Sequence, residues 1–297
     1  MPRTKQNNRP DGILTSDWHL REDTPICYTG NYQEEQWNSV DFIADRQKQY
    51  QCVVYHGGDL FDHWKPSPSL LSKASQHLPD KFISVCGQHD LPQHNLELVH
   101  KSGIYNLMIN GKVAILQNGH WNQSLSDGRT GFILKGRQFT IQHILTYKGQ
   151  EPWPGCTAPT AARLLKRYPQ FDLILTGDNH KTFVEEYEGR LLVNPGSLMR
   201  MDANQIDFKP SVFLWYAETN TIEQVFIPIK EGVISREHIE LIKQRDNRIN
   251  SFVNKLDTDW KAKLTFKENL EIFKNKNSIS NSVMQIIYKS LDTQIKK

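Results

Sequence analysis

The sequence predicts an α/β protein with a helical C-terminal extension, and three observations predict it. Strand and helix patterns alternate between residues 13 and 86, short strands crowd residues 112–229, and helical periodicity takes over beyond Lys230. The 297 residues suit one large domain plus a small appendage. With 38% apolar and 10% aromatic residues, the chain can bury a substantial core.

Taken in order, residues 1–12 form a polar tail, and Gly12-Ile13-Leu14-Thr15 reads as a short buried strand broken by Ser16-Asp17-Trp18-His19-Leu20. Residues 33–49 read as a helix with Trp37, Val40, Ile43 and Ala44 on one face. A strand at 53–56 leads into Gly57-Gly58-Asp59-Leu60-Phe61-Asp62, where glycines allow a sharp bend beside a carboxylate. Leu70, Leu71, Ala74 and Leu78 mark a helix stopped by Pro79. Phe82 to Cys86 is a strand that ends at Gly87-Gln88-His89-Asp90. Short strands follow at 112–116, 131–135 and 137–145, then a helix at 158–168 and a strand at 172–176. Further strands fall near 182–187, 190–193, 211–217 and 221–229. In the extension, 231–297, Ile239, Ile242, Ile249, Phe252, Val253, Leu256 and Trp260 share one helical stripe, and two shorter helices follow. That stripe suits packing on the body, on a second copy in a homodimer, or on a partner such as an ATPase.

Net charge is only +3, and the extension carries thirteen basic against nine acidic residues. This balance excludes a strongly basic nucleic-acid-binding chain but is compatible with phosphate-rich partners. No run approaches the roughly 18 apolar residues of a membrane span, and residues 1–12 lack the apolar core of a signal peptide. Cys27, Cys52, Cys86 and Cys156 form no CxxC pair, which points to buried thiols in a reducing cytoplasm.

Five apolar runs carry metal-type ligands: Asp17 and His19, Asp59, Gln88-His89-Asp90, His143, and Asp178 with His180. In open α/β sheets ligands gather at the carboxyl ends of strands, where four of these clusters fall; His143 lies inside its predicted strand. Asp17 and His19 are two apart, so extended backbone sends both to one side. Carboxylate mixed with imidazole suits Mn²⁺, Fe or Zn²⁺ better than Ca²⁺.

In this order, Asp-x-His, Gly-Asp-x-x-Asp, Gly-x-His-Asp, a strand histidine and Gly-x-x-His resemble the calcineurin-like metallophosphoesterases over residues 13–230. Gly58-Asp59-Leu60-Phe61-Asp62 with Lys65-Pro66-Ser67-Pro68 is most similar to the SbcD-type DNA-repair nucleases, and Asn194-Pro195-Gly196-Ser197 resembles a late turn of many members. The resemblance implies a four-layer sandwich, two mixed β-sheets flanked by helices, and hydrolysis of phosphodiester bonds by two metal ions and a bridging hydroxide. Carried over by position, it implies one metal on Asp17, His19, His180 and the shared Asp59, and a second on Asp59, Gln88, His143 and Asp178. His89, oriented by Asp90, would protonate the leaving oxygen.

Two positions depart from that pattern, since the family usually has Asn at 88 and His at 178. Three carboxylates against two divalent ions leave roughly +1 rather than +2, which implies an alkaline optimum and a preference for Mn²⁺ over Zn²⁺, with Fe and Mg²⁺ as the other candidate ions. Trp18, Trp64, Trp121 and Trp153 are either stacking platforms for bases or packing for loops. Lys65, Arg129 and Arg200 are candidate phosphate contacts, while His56, His63, His94 and His120 lie near motifs without ligand spacing. The reading that follows is a DNA nuclease of SbcD type. Its alternatives are a small-substrate phosphoesterase and a scaffold subunit with an impaired centre.

Overall fold

The structure is a computed structural model that describes residues 9–121, 123, 131–259 and 265–294. The chain divides into two compact units, 1–235 and 236–297.

In the first unit the elements are β1 (Gly12–Thr15), α1 (Tyr32–Tyr50), β2 (Val53–His56), α2 (Pro68–His77), β3 (Phe82–Ser84), α3 (Gly103–Ile109) and β4 (Ala114–Ile115). After them come β5 (Phe132–Leu134), β6 (Arg137–Gln142), α4 (Ala161–Arg167), β7 (Leu173–Thr176), β8 (Phe183–Tyr187), β9 (Arg190–Asn194), β10 (Ser211–Tyr216) and β11 (Thr221–Phe226). The strands form a six-stranded sheet ordered β11-β10-β1-β2-β3-β4 and a five-stranded sheet ordered β5-β6-β7-β9-β8. Both are mixed: β1 to β4 run parallel with β10 antiparallel to β1, and β6, β7 and β9 run parallel between antiparallel β5 and β8. This is the two-sheet sandwich with flanking helices expected from the sequence.

Period-two alternation builds the core between the sheets. Leu14, Tyr55, Phe213 and Trp215 of one sheet share a buried cluster with Phe139, Ile141, Leu173, Leu175, Leu191 and Val193 of the other. On the far side of the five-stranded sheet, Leu164 and Leu165 of α4 pack with Phe171, Ile174 and Leu192. α1 buries Trp37, Val40, Ile43 and Ala44, the face its spacing marked. α3 lies in a stretch for which the sequence yielded no element. Its start is nonetheless marked by Ser102, whose hydroxyl accepts the Tyr105 amide.

One placement corrects the sequence reading: β6 stops at Gln142, so His143 stands at a strand end like the other candidates. Its amide donates to the Gly119 carbonyl at 2.8 Å and leaves the ladder there.

The second unit consists of α5 (Glu237–Asp259), α6 (Phe266–Lys276) and α7 (Asn281–Gln294). Thr265 and Glu268 form a capping box at α6, and the Tyr288 hydroxyl ties α7 to Glu271 of α6 at 2.6 Å. Of the predicted stripe on α5, Ile242 and Ile249 are exposed and Ile239 is half-buried; Leu241 beside it is also exposed. The remainder of the predicted stripe (Phe252, Val253, Leu256) has no described side chains, and Trp260 lies outside the described residues. No helix among the described residues is long and apolar enough to cross a membrane.

Two histidines are structural. His56 lies 2.8 Å from the Ser84 hydroxyl, and burial pushes its pKa down to about 3. His120 accepts the Cys86 amide at 2.9 Å, and burial pushes it down to about 4. Both stay neutral in the fold, whereas an unfolded histidine takes up a proton below about 6.5. Their contribution is therefore complete above that pH and is lost as pH falls toward 4, by about 1.4 kcal/mol per pH unit for each histidine. Asp90, whose pKa is raised, takes up a proton in the fold over the same range and offsets part of that loss, so the effect is read as a difference. Between pH 6.5 and 5 we expect His120→Gln to lose less stability in urea unfolding of the metal-free protein than the parent, by about 1.4 kcal/mol per pH unit. An unchanged slope in the variant contradicts the assignment.

Candidate metal centre

The strand ends of both sheets converge on one buried site. Parallel pairing of β1 with β2 continues past the strands, because the amides of Asp17 and His19 donate to the carbonyls of Gly58 and Asp59, each at 3.0 Å. This zipper sets Asp17 and His19 beside Asp59. From the other sheet, the Asp178 amide donates to Asp17 Oδ1 at 3.0 Å, and His143 Nδ1 lies 2.7 Å from the Gly57 carbonyl. A carbonyl only accepts, so His143 carries its proton on Nδ1 and turns Nε2 to the site.

The backbone is not extended at these positions. Asp17, His19, Asp59 and Asp178 have φ of 51°, 44°, 57° and 73°. Side-chain alternation therefore does not orient Asp17 and His19; left-handed turns do. Such conformations cost on the order of 1–3 kcal/mol each and gather where function fixes the geometry.

Asp90 does not orient His89. It is fully buried, and its carboxylate accepts the amides of Leu60, Phe61 and Gly87 at 3.1–3.2 Å, which clamps the Asp59 turn to the Gly87 turn. Burial, with Asp59 nearby, pushes its pKa up to about 7. The group that orients His89 is the Asp62 carbonyl, 2.8 Å from Nδ1.

Among the described residues, three groups of donors lie within 4.8 Å of one another: Asp17, His19 and His180; Asp17, Asp59 and His143; and His19, Asp62 and His89. His19 Nε2 and His180 Nε2 are 3.2 Å apart, the spacing of neighbouring donors on one ion with bonds of about 2.1 Å. Asp59 is 0% exposed. Its Oδ1 accepts the His89 amide at 2.8 Å, whereas Oδ2 has no hydrogen-bond partner and sits 3.3 Å from His143 Nε2 and 3.7 Å from His19 Nε2. An orphaned buried carboxylate oxygen among imidazoles fits a cation.

Electrostatics agree with that fit. Burial opposes ionisation of Asp59, but His143 and His19 outweigh it and hold the carboxyl well below its usual range. Burial likewise opposes charge on His143, but Asp59 outweighs it and pushes the imidazole up to about 10. Burial, with Asp59 nearby, raises Asp17, and burial, with His19 nearby, lowers His180.

Gln88 and Asp178 are joined to each other. The Gln88 amide donates to Asp178 Oδ1 at 2.7 Å, and its oxygen lies 2.8 Å from His143 Nε2. The longer side chain of Gln thus spans two of the residues placed with it on the second ion.

The sequence reading missed several supports. Ser16 donates to Asp17 Oδ2 at 2.6 Å, and Asn194 donates to the carbonyls of Asn179 and Lys181, which fixes the loop that carries His180. Arg21 reaches Asp62, which lies 3.5 Å from His19 Nδ1. An Arg two residues beyond Asp-x-His was the available signal. Among the other candidates, Trp18 is fully buried and donates to Thr15, so it cannot stack a substrate. Arg200 is 5% exposed and donates to the Lys230 carbonyl, so it is not a cleft cation. Lys65, His63 and His94 are exposed, Trp64 and Trp121 are half-buried, Trp153 is exposed, and Arg129 lies outside the described residues.

Residues 13–215 match the calcineurin-like phosphoesterase superfamily domain. The chain is similar to an archaeal phosphodiesterase, at 13% identity over 72% of this chain and 98% of that one with a TM-score of 0.43. It is also similar to a putative 5'-nucleotidase from Staphylococcus aureus, at 12% identity over 80% of this chain and 58% of that one with a TM-score of 0.43. A protein of Thermus thermophilus is similar at 12% identity over 73% and 98% of the two chains, with a TM-score of 0.39.

Two substitutions check the supports. A Cβ on Gly87 would overlap the Asp59 carboxylate, so Gly87→Ala is expected to abolish tight divalent-ion binding while the far-ultraviolet spectrum is kept. Undiminished affinity by calorimetry contradicts this. Asp90→Ala strands three buried amides, and at about 1–3 kcal/mol each we expect at least about 3 kcal/mol lost in urea unfolding. A loss below about 1 kcal/mol contradicts the clamp.

Proposed function

The chain belongs to the calcineurin-like phosphoesterase superfamily and is a metal-dependent phosphoesterase, and from that premise we propose that it hydrolyses phosphodiester bonds in nucleic acid as a nuclease of SbcD type. The observation that carries the metal-dependent chemistry is the unpartnered Asp59 Oδ2, buried where imidazoles from both sheets meet. The nucleic-acid part is supported by the Gly58-Asp59-Leu60-Phe61-Asp62 motif and the exposed Lys65 just beyond it.

In this reading Asp17, His19, His180 and Asp59 hold one ion, and Asp59, Gln88, His143 and Asp178 hold the second. Divalent ions bound there supply Lewis acidity toward phosphoryl oxygens and lower the pKa of water. The rest is done by the protein. The His143 Nδ1–H is spent on the Gly57 carbonyl and keeps Nε2 aimed inward. The Asp62 carbonyl takes the His89 Nδ1–H, so protonated His89 has one further proton, on Nε2, to give to the leaving oxygen. Its ring stands edge-on to His19 at 4.8 Å, beside the carboxylate–imidazole cluster. With Asp178 in the second set, we place Mn²⁺ ahead of Zn²⁺ and the optimum at alkaline pH.

A second reading, a small-substrate phosphoesterase, is favoured by Arg200, whose burial removes a cation from any path for a long phosphate backbone. We further propose that the exposed Leu241, Ile242 and Ile249 of α5 meet a second copy or a partner ATPase, and that the free thiols belong in the cytoplasm.

The test is an assay with Mn²⁺ over labelled single- and double-stranded DNA and a panel of small phosphoesters. DNA cleavage that falls about 10²–10⁴-fold in His89→Ala is expected, with Asp59→Asn inactive. Turnover confined to small esters selects the second reading. Unaltered turnover in both variants contradicts the assigned roles.

A further inference from the structure

A cavity of about 500 Å³ opens beside His143 and Asp178, within the size range of ligand sites. The metal-site residue His143 forms part of its wall, so a group in the cavity adjoins whatever the carboxylates and imidazoles hold. Two indoles line it. Trp121 is anchored through its amide to the Cys86 carbonyl at 2.9 Å, and Trp153 is left 53% exposed, an aromatic surface that core packing does not use. Ile144 and Pro159 add apolar wall, while Gln123 and Thr157 supply an amide and a hydroxyl.

Charge decides what fits. Among the described residues, no Lys or Arg lines the cavity, and Asp178 is the carboxylate that does. Away from the ion proposed on His143 and Asp178, the described lining offers a phosphate no cation, so the cavity suits the uncharged part of a phosphoester. A lining of indole and aliphatic side chains with an amide and a hydroxyl complements a planar heteroaromatic ring, apolar on its faces and polar along its edge.

We propose that this cavity seats the nucleobase next to the scissile phosphate, which rests on the phosphodiesterase reading and narrows its substrate to nucleotide esters. Trp121 and Trp153 provide the stacking surface. The base belongs either to a strand end or to a free nucleotide diester.

The binding test needs no turnover. Thymidine and 2-deoxyribose are titrated into the metal-free full-length protein while indole fluorescence is followed. Saturable quenching by thymidine alone is expected, weakened about tenfold by Trp153→Ala. An equal response to both compounds, or thymidine binding unchanged in both Trp153→Ala and Trp121→Ala, overturns the proposal. Single-stranded DNA and a thymidine dinucleotide are then compared as competitors, and the stronger one identifies the source of the base. With Mn²⁺, the ratio of kcat/KM for the dinucleotide over its base-free analogue is expected to drop about tenfold in Trp153→Ala. Thymidine binding without turnover of any ester sinks the phosphodiesterase reading and leaves the base site standing.

Discussion

The site is governed by the removal of the Asp59 carboxylate from water. An isolated buried carboxylate costs several kcal/mol, so something must meet each oxygen. The His89 amide meets Oδ1, whereas Oδ2 meets only the imidazoles of His143 and His19 at longer range. The protein answers with opposed ionisation: the Asp59 carboxyl is held down and the His143 imidazole is pushed up. A cation satisfies the same oxygen without that proton, which is why a buried acid here reads as a ligand.

The fold exists around that constraint. Parallel strands from two sheets deliver their carboxyl ends to one place, and neither sheet alone supplies the donor set. Asp17, His19 and Asp59 come from the six-stranded sheet, and His143, Asp178 and His180 come from the five-stranded one. Joining them requires left-handed backbone at four non-glycine positions and very close approach at glycine, as at Gly58, where a Cβ would strike His143. Asp90 holds this arrangement in place through three backbone amides.

Most of the scaffold was legible because it rests on periodicity. The buried face of α1 and the alternating core strands follow from residue spacing alone. The candidate site was legible as a set of residue types at strand ends, through Asp17, His19, Asp59 and His180, whereas His143 read as lying inside its strand. Direction was not legible. The pairing of Asp17 with His19 depends on φ values that no spacing rule supplies, and the end of β6 depends on a bond from His143 to a distant carbonyl. The role of Asp90 was hidden for the same reason, since its partners are backbone amides, two of them in the distant Asp59 turn. Trp18 and Arg200 show the remaining limit: a residue beside a motif can face the core, and only packing reveals it.

The central claim is that one buried carboxylate is shared between metal-binding groups from two sheets. The most direct measurement is anomalous scattering from a Mn²⁺-soaked crystal. We expect an anomalous peak in contact with Asp59 Oδ2 and with the imidazoles of His19 and His180. Ordered Mn²⁺ elsewhere on the protein, with Asp59 Oδ2 bound to none, would contradict the account.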